Sequence, residues 1–300
     1  MIIQGVYTAL VTPMRNGEVD YDTLRKLVEM QIAGGVAGIV PVGTTGESPT
    51  LSYEEHAKVI ETVIATANKR CQIIAGTGAN CTREAIEMTQ AAAADGADGT
   101  LQVTPYYNKP TQEGLYRHFS EVADKGGLPV FLYNVPGRSG VAIAESTVAR
   151  LAKNANVVAI KEAAGSVDRV SAIKDLCGDD ITVLSGDDSL TLPMMSVGAT
   201  GIISVASNII PAEMSQMVNA FLAGDIATAQ KLHAKYYAFF RDQFIETNPI
   251  PIKAAMAMAG LIEEEYRLPL CEMSAANRAV LEATMKEFAA ASNVSLNAGI

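Results

Sequence analysis

Lys161 directly follows a run of apolar residues, 157–160, and it is the one lysine that ends such a run in this chain of 300 residues. The run is typical of a strand that is buried on both faces, so an ammonium group at its end would be partly desolvated. Desolvation favours the neutral amine, which can attack a ketone and form an iminium that serves as an electron sink. The position of Lys161 therefore indicates Schiff-base chemistry, or else a lysine that extends its head group into solvent.

Three further polar features follow apolar runs. Tyr133 ends the run before that of Lys161, so its hydroxyl can move protons in the same space or lie hydrogen-bonded in the core. The segment 43–47, Gly-Thr-Thr-Gly-Glu, offers backbone N–H and hydroxyl groups to a small carboxylate. Arg138 is a forked donor that suits a second carboxylate, or it is an ordinary surface arginine. Together these residues predict an aldolase-type enzyme that binds a small keto acid.

The histidines argue against a metal-dependent aldolase. His56, His118 and His233 all fall on predicted helices rather than at the end of an apolar run, and the sequence has no His-x-His pair. An obvious Ser/His/Asp set is also missing from the ends of the runs. Asp187 and Asp188 follow another apolar run, and the sequence leaves open whether they face a site or cap a helix. We predict no metal and no cofactor other than the covalent Schiff base.

The candidate residues above lie at or after the ends of short apolar or β-branched runs, and the sequence has eight such runs. They span residues 6–11, 38–42, 72–75, 100–103, 130–133, 157–160, 182–184 and 201–205. Helical patterns alternate with them, as at 52–68, where Ser52 and Glu55 predict a capping box before an apolar stripe. Eight such units predict an α/β fold of the (β/α)8 TIM barrel type. An open doubly wound sheet commonly has five or six strands, and no Gly-x-Gly-x-x-Gly follows the first run.

Beyond residue 205 the sequence contains only helical patterns. They span residues 211–222, 226–244, 251–261 and 275–291. The first should close the barrel, and the other three predict a C-terminal helical appendage. We therefore predict a catalytic barrel domain at 1–224 and an α-helical domain at 225–300. In such a barrel the active site lies at the carboxyl ends of the strands, where Lys161 and its companions are placed.

The composition favours a small molecule as the partner. The net charge of −10 would repel nucleic acid and anionic membrane surfaces. The first residues lack a basic segment followed by an apolar run, and no window reaches the roughly 18 apolar residues of a membrane span. We expect a cytoplasmic protein. Four cysteines without Cys-x-x-Cys spacing predict reduced packing residues rather than disulfides.

Several ordered motifs resemble those of the dihydrodipicolinate synthase and N-acetylneuraminate lyase superfamily, and the resemblance covers essentially the whole chain. They are 43–47 (Gly-Thr-Thr-Gly-Glu), 103–107 (Val-Thr-Pro-Tyr-Tyr), 133–136 (Tyr-Asn-Val-Pro), 160–162 (Ile-Lys-Glu), 186–188 (Gly-Asp-Asp) and 248–251 (Asn-Pro-Ile-Pro). The resemblance implies that Lys161 forms a Schiff base with pyruvate, while Tyr133, Thr44 and Tyr107 relay protons. It also implies that Tyr107 comes from a neighbouring subunit, within a tight dimer that pairs into a homotetramer.

The same resemblance implies the substrates. Thr44 and Thr45 would hold the pyruvate carboxylate, Arg138 would bind the carboxylate of L-aspartate 4-semialdehyde, and Gly186 and Ile203 would also contact substrate. The product would be 4-hydroxy-tetrahydrodipicolinate, in the diaminopimelate route to lysine. Members that cleave sialic acid typically carry a serine pair in the first motif and lack the arginine, so this sequence favours the condensing enzyme. A pyruvate-dependent sugar-acid aldolase, such as N-acetylneuraminate or 2-keto-3-deoxygluconate lyase, is the alternative.

Free lysine inhibits many bacterial and plant members at the dimer interface, and the resemblance implies a corresponding allosteric site here. Its residues would be Ser48, Pro49, Tyr53, His56, Asn80, Glu84 and Tyr106. Glu84 can pair with an ammonium group, while Asn80 and Tyr106 can bind the carboxylate of the amino acid. The alternative is an ordinary packing surface between subunits, beside the helix that Ser52 caps.

Overall fold

Eight parallel strands close into a barrel in the computed structural model of this protein, which describes residues 2–291 and 295–296. The strands in chain order are β1 (Gly5–Ala9), β2 (Met14–Arg15), β3 (Glu18–Val19), β4 (Gly38–Val40), β5 (Gln72–Gly76), β6 (Gly99–Val103), β7 (Val130–Asn134), β8 (Val157–Glu162), β9 (Thr182–Ser185) and β10 (Gly201–Ser204). The order around the barrel is β1-β10-β9-β8-β7-β6-β5-β4, while β2 and β3 form a separate antiparallel hairpin. The predicted (β/α)8 barrel is confirmed, and each predicted run overlaps one barrel strand.

Helices cover the outside of the barrel and then continue beyond it. They are α1 (Tyr21–Ala33), α2 (Tyr53–Ala67), α3 (Thr82–Asp95), α4 (Gln112–Lys125), α5 (Pro136–Ser139), α6 (Glu145–Leu151), α7 (Val167–Cys177), α8 (Thr191–Ser196), α9 (Pro211–Leu222), α10 (Ile226–Asp242), α11 (Ile250–Met258) and α12 (Ala275–Ala291). The predicted capping box starts α2, because the Ser52 hydroxyl accepts from the Glu55 N–H and the Glu55 carboxylate accepts from the Ser52 N–H. In the described part of the chain, no helix combines the length and apolarity that a bilayer crossing requires.

Apolar side chains fill the inside of the barrel. This interior cluster consists of Tyr7, Ala9, Val40, Ile74, Leu101, Phe131, Tyr133, Val135, Ala159, Leu184 and Ile203. A larger apolar core lies between the strands and the helices. Burial on both faces explains why the strands appear in the sequence as continuous apolar runs. Polar side chains therefore enter the barrel mainly at the carboxyl ends of its strands, and they are the ones available for chemistry.

The C-terminal helices are fastened to the rim of the barrel. Lys253 on α11 forms an ion pair with Glu47, and both side chains are fully buried. Arg267 donates two hydrogen bonds to the Glu55 carboxylate, at 2.7 and 2.6 Å. The division of the chain into domains at residue 225 stays a prediction. Residues 292–294 and 297–300 of the predicted C-terminal domain lie outside the described residues.

Candidate active site

Lys161 and Tyr133 lie side by side on strands β8 and β7. The parallel pairing of these strands sets the two residues directly opposite each other, so both side chains enter the barrel on the same side of the sheet. The Lys161 amine lies 4.3 Å from the centre of the Tyr133 ring. Lys161 is only 5% exposed, and Tyr133 is also buried. The structure thus brings together the two residues that the sequence places at the ends of neighbouring strands.

Gly186 follows β9 and leaves room beside the Lys161 side chain. A Cβ atom at this position would lie 2.6 Å from the Ala163 Cβ and 3.0 Å from the Lys161 Cε. The first distance is too short for two carbon atoms, so only glycine lets the backbone approach this closely. Glycine at residue 186 therefore keeps the space around the lysine amine open to a small ligand.

A cavity of about 430 Å³, called the mouth cavity below, opens at this end of the barrel. Its lining consists of Thr45, Tyr133, Val135, Gly137, Arg138, Lys161, Ala163, Gly186, Asp187, Val205, Phe244, Thr247 and Asn248. Five residues predicted to act in catalysis or substrate binding share it, namely Lys161, Tyr133, Thr45, Arg138 and Gly186. The volume falls in the range of small-molecule sites, roughly 300–1,000 Å³.

Three other predicted residues do not line the mouth cavity. Thr44 begins the short 3-10 turn Thr44–Gly46 beside Thr45 and is half-buried. Tyr107 is 89% exposed and has a φ of 71°, in the left-handed region that side chains rarely adopt. Ile203 is buried within the apolar interior of the barrel. The Tyr107 ring in particular lies outside the mouth cavity of its own chain.

Asn248 lines the mouth cavity, although its position in the sequence indicates no role beyond its place in the matching motif 248–251. Its side-chain amide donates to the Thr45 hydroxyl oxygen at 3.0 Å. Its backbone carbonyl accepts from the Arg138 guanidinium at 2.8 Å. Asn248 therefore connects the two residues that are predicted to bind carboxylates. The motif was the available signal, but no apolar run or strand end marks this segment as part of a site.

Glu162 supports the cavity from the outer face of β8, because consecutive strand residues point in opposite directions. Its fully buried carboxylate accepts two hydrogen bonds from the Asn134 amide, at 2.9 and 3.0 Å, and one from Arg169 at 3.3 Å. Burial raises the pKa of Glu162, while Arg169 and the hydrogen bonds act in the opposite direction. The Asn134 side-chain oxygen also accepts from the Ile143 N–H. This network fixes the segment between β7 and α6 that carries Arg138.

The two aspartates whose roles the sequence leaves open differ in the structure. Asp187 lines the mouth cavity, and its carboxylate accepts from the backbone and hydroxyl of Ser189 at 3.2 and 3.0 Å. Asp188 is buried and accepts from the Ser204 hydroxyl at 2.5 Å and the Val205 N–H at 3.0 Å. Burial raises the pKa of Asp188 to about 6, although these hydrogen bonds oppose the shift. Asp188 therefore braces the loop after β10, whereas Asp187 faces the cavity.

A second cavity of about 480 Å³, called the lateral cavity below, lies between the loop after β4 and helices α2 and α3. Its lining consists of Ser48, Pro49, Leu51, Ser52, Tyr53, Glu54, His56, Gly78, Ala79, Glu84, Met88 and Tyr106. Six of the seven residues predicted to bind lysine are among them. The seventh, Asn80, donates its side-chain amide to the Tyr106 carbonyl at 3.2 Å. Glu84 gives this cavity a negative charge, which raises the pKa of Tyr53.

His56 forms part of the wall of the lateral cavity. Its Nε2 lies 3.0 Å from the Gly76 carbonyl oxygen. A carbonyl only accepts, so Nε2 carries the proton and Nδ1 is the acceptor of the neutral ring. Burial lowers the pKa of His56 more than this hydrogen bond raises it. The imidazole is therefore neutral at pH 7.

The histidines do not meet one another or the mouth cavity. Burial lowers the pKa of His118 to about 4, and its Nδ1 lies 2.9 Å from the Thr82 hydroxyl. His233 packs against the rings of Tyr237 and Phe240. Within residues 2–291 and 295–296, no three or more His, Cys, Asp or Glu side chains come together as a metal site.

Comparison with known proteins gives one family over nearly the whole chain. A model of the dihydrodipicolinate synthetase family matches residues 2–288. A 4-hydroxy-tetrahydrodipicolinate synthase of Geobacter metallireducens is 54% identical over 287 residues, which cover 96% of this chain and 99% of the relative. A chloride-inhibited dihydrodipicolinate synthase from Acinetobacter baumannii, complexed with pyruvate, superposes with a TM-score of 0.94 at 48% identity, over 96% and 99% of the two chains. The Cyanidioschyzon merolae protein with lysine bound gives a TM-score of 0.92 at 40% identity, over 95% and 98%.

Proposed function

Since this chain belongs to the dihydrodipicolinate synthetase family, we propose that it condenses pyruvate with L-aspartate 4-semialdehyde to form 4-hydroxy-tetrahydrodipicolinate. The observation that carries the proposal is the buried Lys161 amine beside the Tyr133 ring, in a cavity that also contains Arg138. The relatives reported above are all named for the synthase rather than for a sugar-acid aldolase. The synthase is therefore favoured over the alternative from the sequence.

Lys161 turns pyruvate into a carbon nucleophile in the first half of the reaction. The neutral amine attacks the keto carbon, and loss of water from the carbinolamine leaves an iminium. Removal of a methyl proton then gives the enamine, because the electron pair of the C–H bond moves toward the iminium nitrogen. The Tyr133 hydroxyl is the proton-transfer group, since its ring lies against the lysine amine. The Thr45 hydroxyl binds the pyruvate carboxylate from another wall of the cavity.

The enamine carbon attacks the aldehyde carbon of the semialdehyde in the second half of the reaction. A new carbon–carbon bond forms, and the aldehyde oxygen takes up a proton to become the hydroxyl of the product. Arg138 holds the carboxylate of this substrate with its forked N–H groups. The amino group of the substrate then replaces the Lys161 nitrogen at the iminium carbon. This exchange closes the ring and frees the lysine.

Thr44 and Tyr107 complete the proton relay with Tyr133 in this proposal, and Tyr107 serves the cavity of a neighbouring subunit. The exposure of Tyr107 supports this role, because a ring that projects from the surface of its own chain is free to reach the cavity of a neighbouring subunit. A tight dimer that pairs into a homotetramer is the assembly we propose. We also propose that free lysine inhibits the enzyme in the lateral cavity, with its ammonium group on Glu84 and its carboxylate near Asn80 and Tyr106.

Reduction with borohydride in the presence of pyruvate tests the Schiff base. We expect a reduced pyruvyl adduct on the peptide that contains Lys161, identified by mass spectrometry. Lys161→Ala should lose the adduct and should lower the rate by roughly 10³-fold or more, because the nucleophile is gone. Lys153→Ala, which changes a lysine outside both cavities, is the control. An adduct on any other lysine of the parent protein would refute the mechanism.

Arg138→Ala tests the second substrate separately from the first. We expect it to keep the pyruvate adduct and to lose most of the reaction with the semialdehyde, since the cationic partner of the second carboxylate is removed. Arg138→Lys should retain part of that reaction because the charge remains but the fork does not. A coupled assay with aspartate semialdehyde, N-acetylmannosamine or glyceraldehyde measures the choice of aldehyde. Turnover with the sugars alone would contradict the proposed substrate.

A further inference from the structure

Asn248 holds two different groups of the mouth cavity at once. It lies between α10 and α11, far along the chain from Thr45 and Arg138, and its side chain is almost fully buried. The side-chain amide contacts the Thr45 hydroxyl, while the backbone carbonyl contacts the Arg138 guanidinium. One residue therefore touches both groups that the proposed function assigns to carboxylates, through two chemically independent parts.

The direction of the hydrogen bond to Thr45 determines what that hydroxyl can do. A side-chain amide nitrogen only donates, so the Thr45 oxygen accepts from Asn248 and its own proton must go elsewhere. Among the described residues, the Thr45 hydroxyl has no acceptor within hydrogen-bond distance. Thr45 lines the mouth cavity, and a carboxylate oxygen there accepts such a proton. The amide thus leaves Thr45 as a donor toward the cavity.

The backbone carbonyl of Asn248 acts on Arg138 in a different way. It accepts one guanidinium N–H at 2.8 Å and leaves the other donors of the fork free. A carboxylate partner of Arg138 does not occur among the described side chains, so the cation stays available to a ligand. Because a backbone carbonyl survives any substitution of the side chain, the two functions of Asn248 can be separated by mutation.

We propose that Asn248 is a positioning residue that makes Thr45 a hydrogen-bond donor to the pyruvate carboxylate, while its backbone orients Arg138 for the second substrate. This inference rests on the proposed function, because it takes pyruvate as the ligand of Thr45. It assigns a specific role to the motif 248–251. Removal of the Asn248 side chain should weaken pyruvate binding and leave the semialdehyde site intact.

The test is a double-mutant cycle on the pyruvate concentration that gives half-maximal borohydride trapping. We expect this concentration to rise roughly ten-fold in Asn248→Ala and in Thr45→Val, as for the loss of one charge-assisted hydrogen bond. The double variant should equal Thr45→Val alone, because the side chain acts only through the hydroxyl. In Asn248→Ala, the KM for the semialdehyde and the kcat at saturating pyruvate should stay within about two-fold of the parent values.

Asn248→Asp provides a second variant of nearly identical shape. Its carboxylate only accepts, so Thr45 would donate to it and would no longer donate to pyruvate, and trapping should weaken more than in Asn248→Ala. Gln243→Ala removes a buried amide from the same segment outside the mouth cavity, where it donates to the Phe239 carbonyl, and should not change trapping.

The outcomes separate this inference from the proposed function. Absence of an adduct in the parent protein would refute the proposed function itself. If the parent protein forms the adduct but the effects of Asn248→Ala and Thr45→Val multiply in the double variant, the role of Asn248 is refuted and the proposed function stands. Equal losses for both substrates, or a fall in kcat without weaker trapping, would also overturn it. Thermal unfolding of each variant identifies changes that come from misfolding, and Asn248→Asp then decides the question if Asn248→Ala does not fold.

Discussion

The mouth cavity and the lateral cavity have similar volumes, about 430 and 480 Å³, but they are built differently. In the mouth cavity, Lys161 and Tyr133 are buried side chains of barrel strands. The lateral cavity is walled by loops and helix starts, and its tyrosine rings Tyr53 and Tyr106 are 66% and 40% exposed. The chain therefore places Lys161 and Tyr133, the proposed reacting centre, on barrel strands. In the proposed dimer it leaves the second cavity for a partner surface to complete.

One loop joins the two cavities. The turn Thr44–Gly46 carries Thr45 into the mouth cavity, and the turn Ser48–Thr50 lies along the lateral cavity. Glu47 lies between the turns with a left-handed φ of 57°, and its carboxylate pairs with Lys253 inside the protein. The two turns thus share a residue that is fixed by a helix of the C-terminal region, so displacement of that residue should disturb both cavities.

Lys253→Met should damage both cavities, and it is the largest effect that we expect. The change leaves the Glu47 carboxylate buried without its counter-ion, which costs roughly 3–5 kcal/mol of unfolding free energy. Urea denaturation measures this loss, while pyruvate trapping and lysine titration report on the two cavities. Lys58→Met removes an exposed ion pair with Glu61 and should change the unfolding free energy by less than about 1 kcal/mol. Damage to only one cavity would show that Glu47 does not join them.

The barrel and the pairing of Lys161 with Tyr133 could be predicted because their signals are local. Each strand appears as an apolar run, and Lys161 and Tyr133 stand at the ends of two of these runs. The hairpin of β2 and β3 was missed because two-residue strands are too short for a repeating pattern. Asn16 and Gly17 at its turn, both with positive φ, are a typical hairpin signal that could have predicted it.

The contacts made by the C-terminal region could not be predicted from local patterns. Lys253 lies within an apolar helical segment, where a lysine that extends to solvent is the ordinary expectation. Its partner Glu47 and the Thr45 partner of Asn248 are more than half the chain away, so no spacing in the sequence indicates either pair. Only the family resemblance predicts the lateral cavity, since its residues come from three loops and two helices.

Glu84→Gln should separate the two cavities, with a smaller effect than the loss of Lys253. Without the carboxylate, the ammonium group of lysine loses a charge-assisted hydrogen bond, and half-inhibition should require roughly 10- to 100-fold more lysine. Pyruvate trapping should not change, because Glu84 does not line the mouth cavity. Glu87→Gln, on the same helix but outside the lateral cavity, is the matched control. If Glu84→Gln and Glu87→Gln weakened lysine inhibition equally, a general charge effect would explain the result, and Glu84 would not be the partner of the ammonium group.

Acidification should weaken lysine inhibition in the lateral cavity through His56, and this is the smallest effect that we expect. Burial lowers the pKa of His56 below its ordinary value of 6.5, so the ring is neutral above that pH and gains a proton only below it. A charged ring would repel the ammonium group of lysine by roughly 1 kcal/mol at about 4 Å in water, which corresponds to about five-fold weaker inhibition. Lysine inhibition should therefore be constant from pH 8 to 7 and should weaken as the pH falls below 6.5.

His56→Gln isolates this effect from the titration of other groups. Glutamine can still donate to the Gly76 carbonyl but carries no charge at any of these pH values, so the difference between parent and variant belongs to the imidazole. The measurement is the half-inhibitory lysine concentration of both proteins at pH 8, 7, 6 and 5.5. We expect the half-inhibitory lysine concentrations of the two proteins to agree above pH 7 and to differ below 6.5, where lysine should inhibit the parent more weakly than the variant. Because the mouth cavity contains no histidine, half-maximal trapping of pyruvate should follow the same pH course in both proteins. If the pyruvate-trapping curves of the parent and His56→Gln also separated at low pH, the two cavities would be coupled through the wall formed by His56.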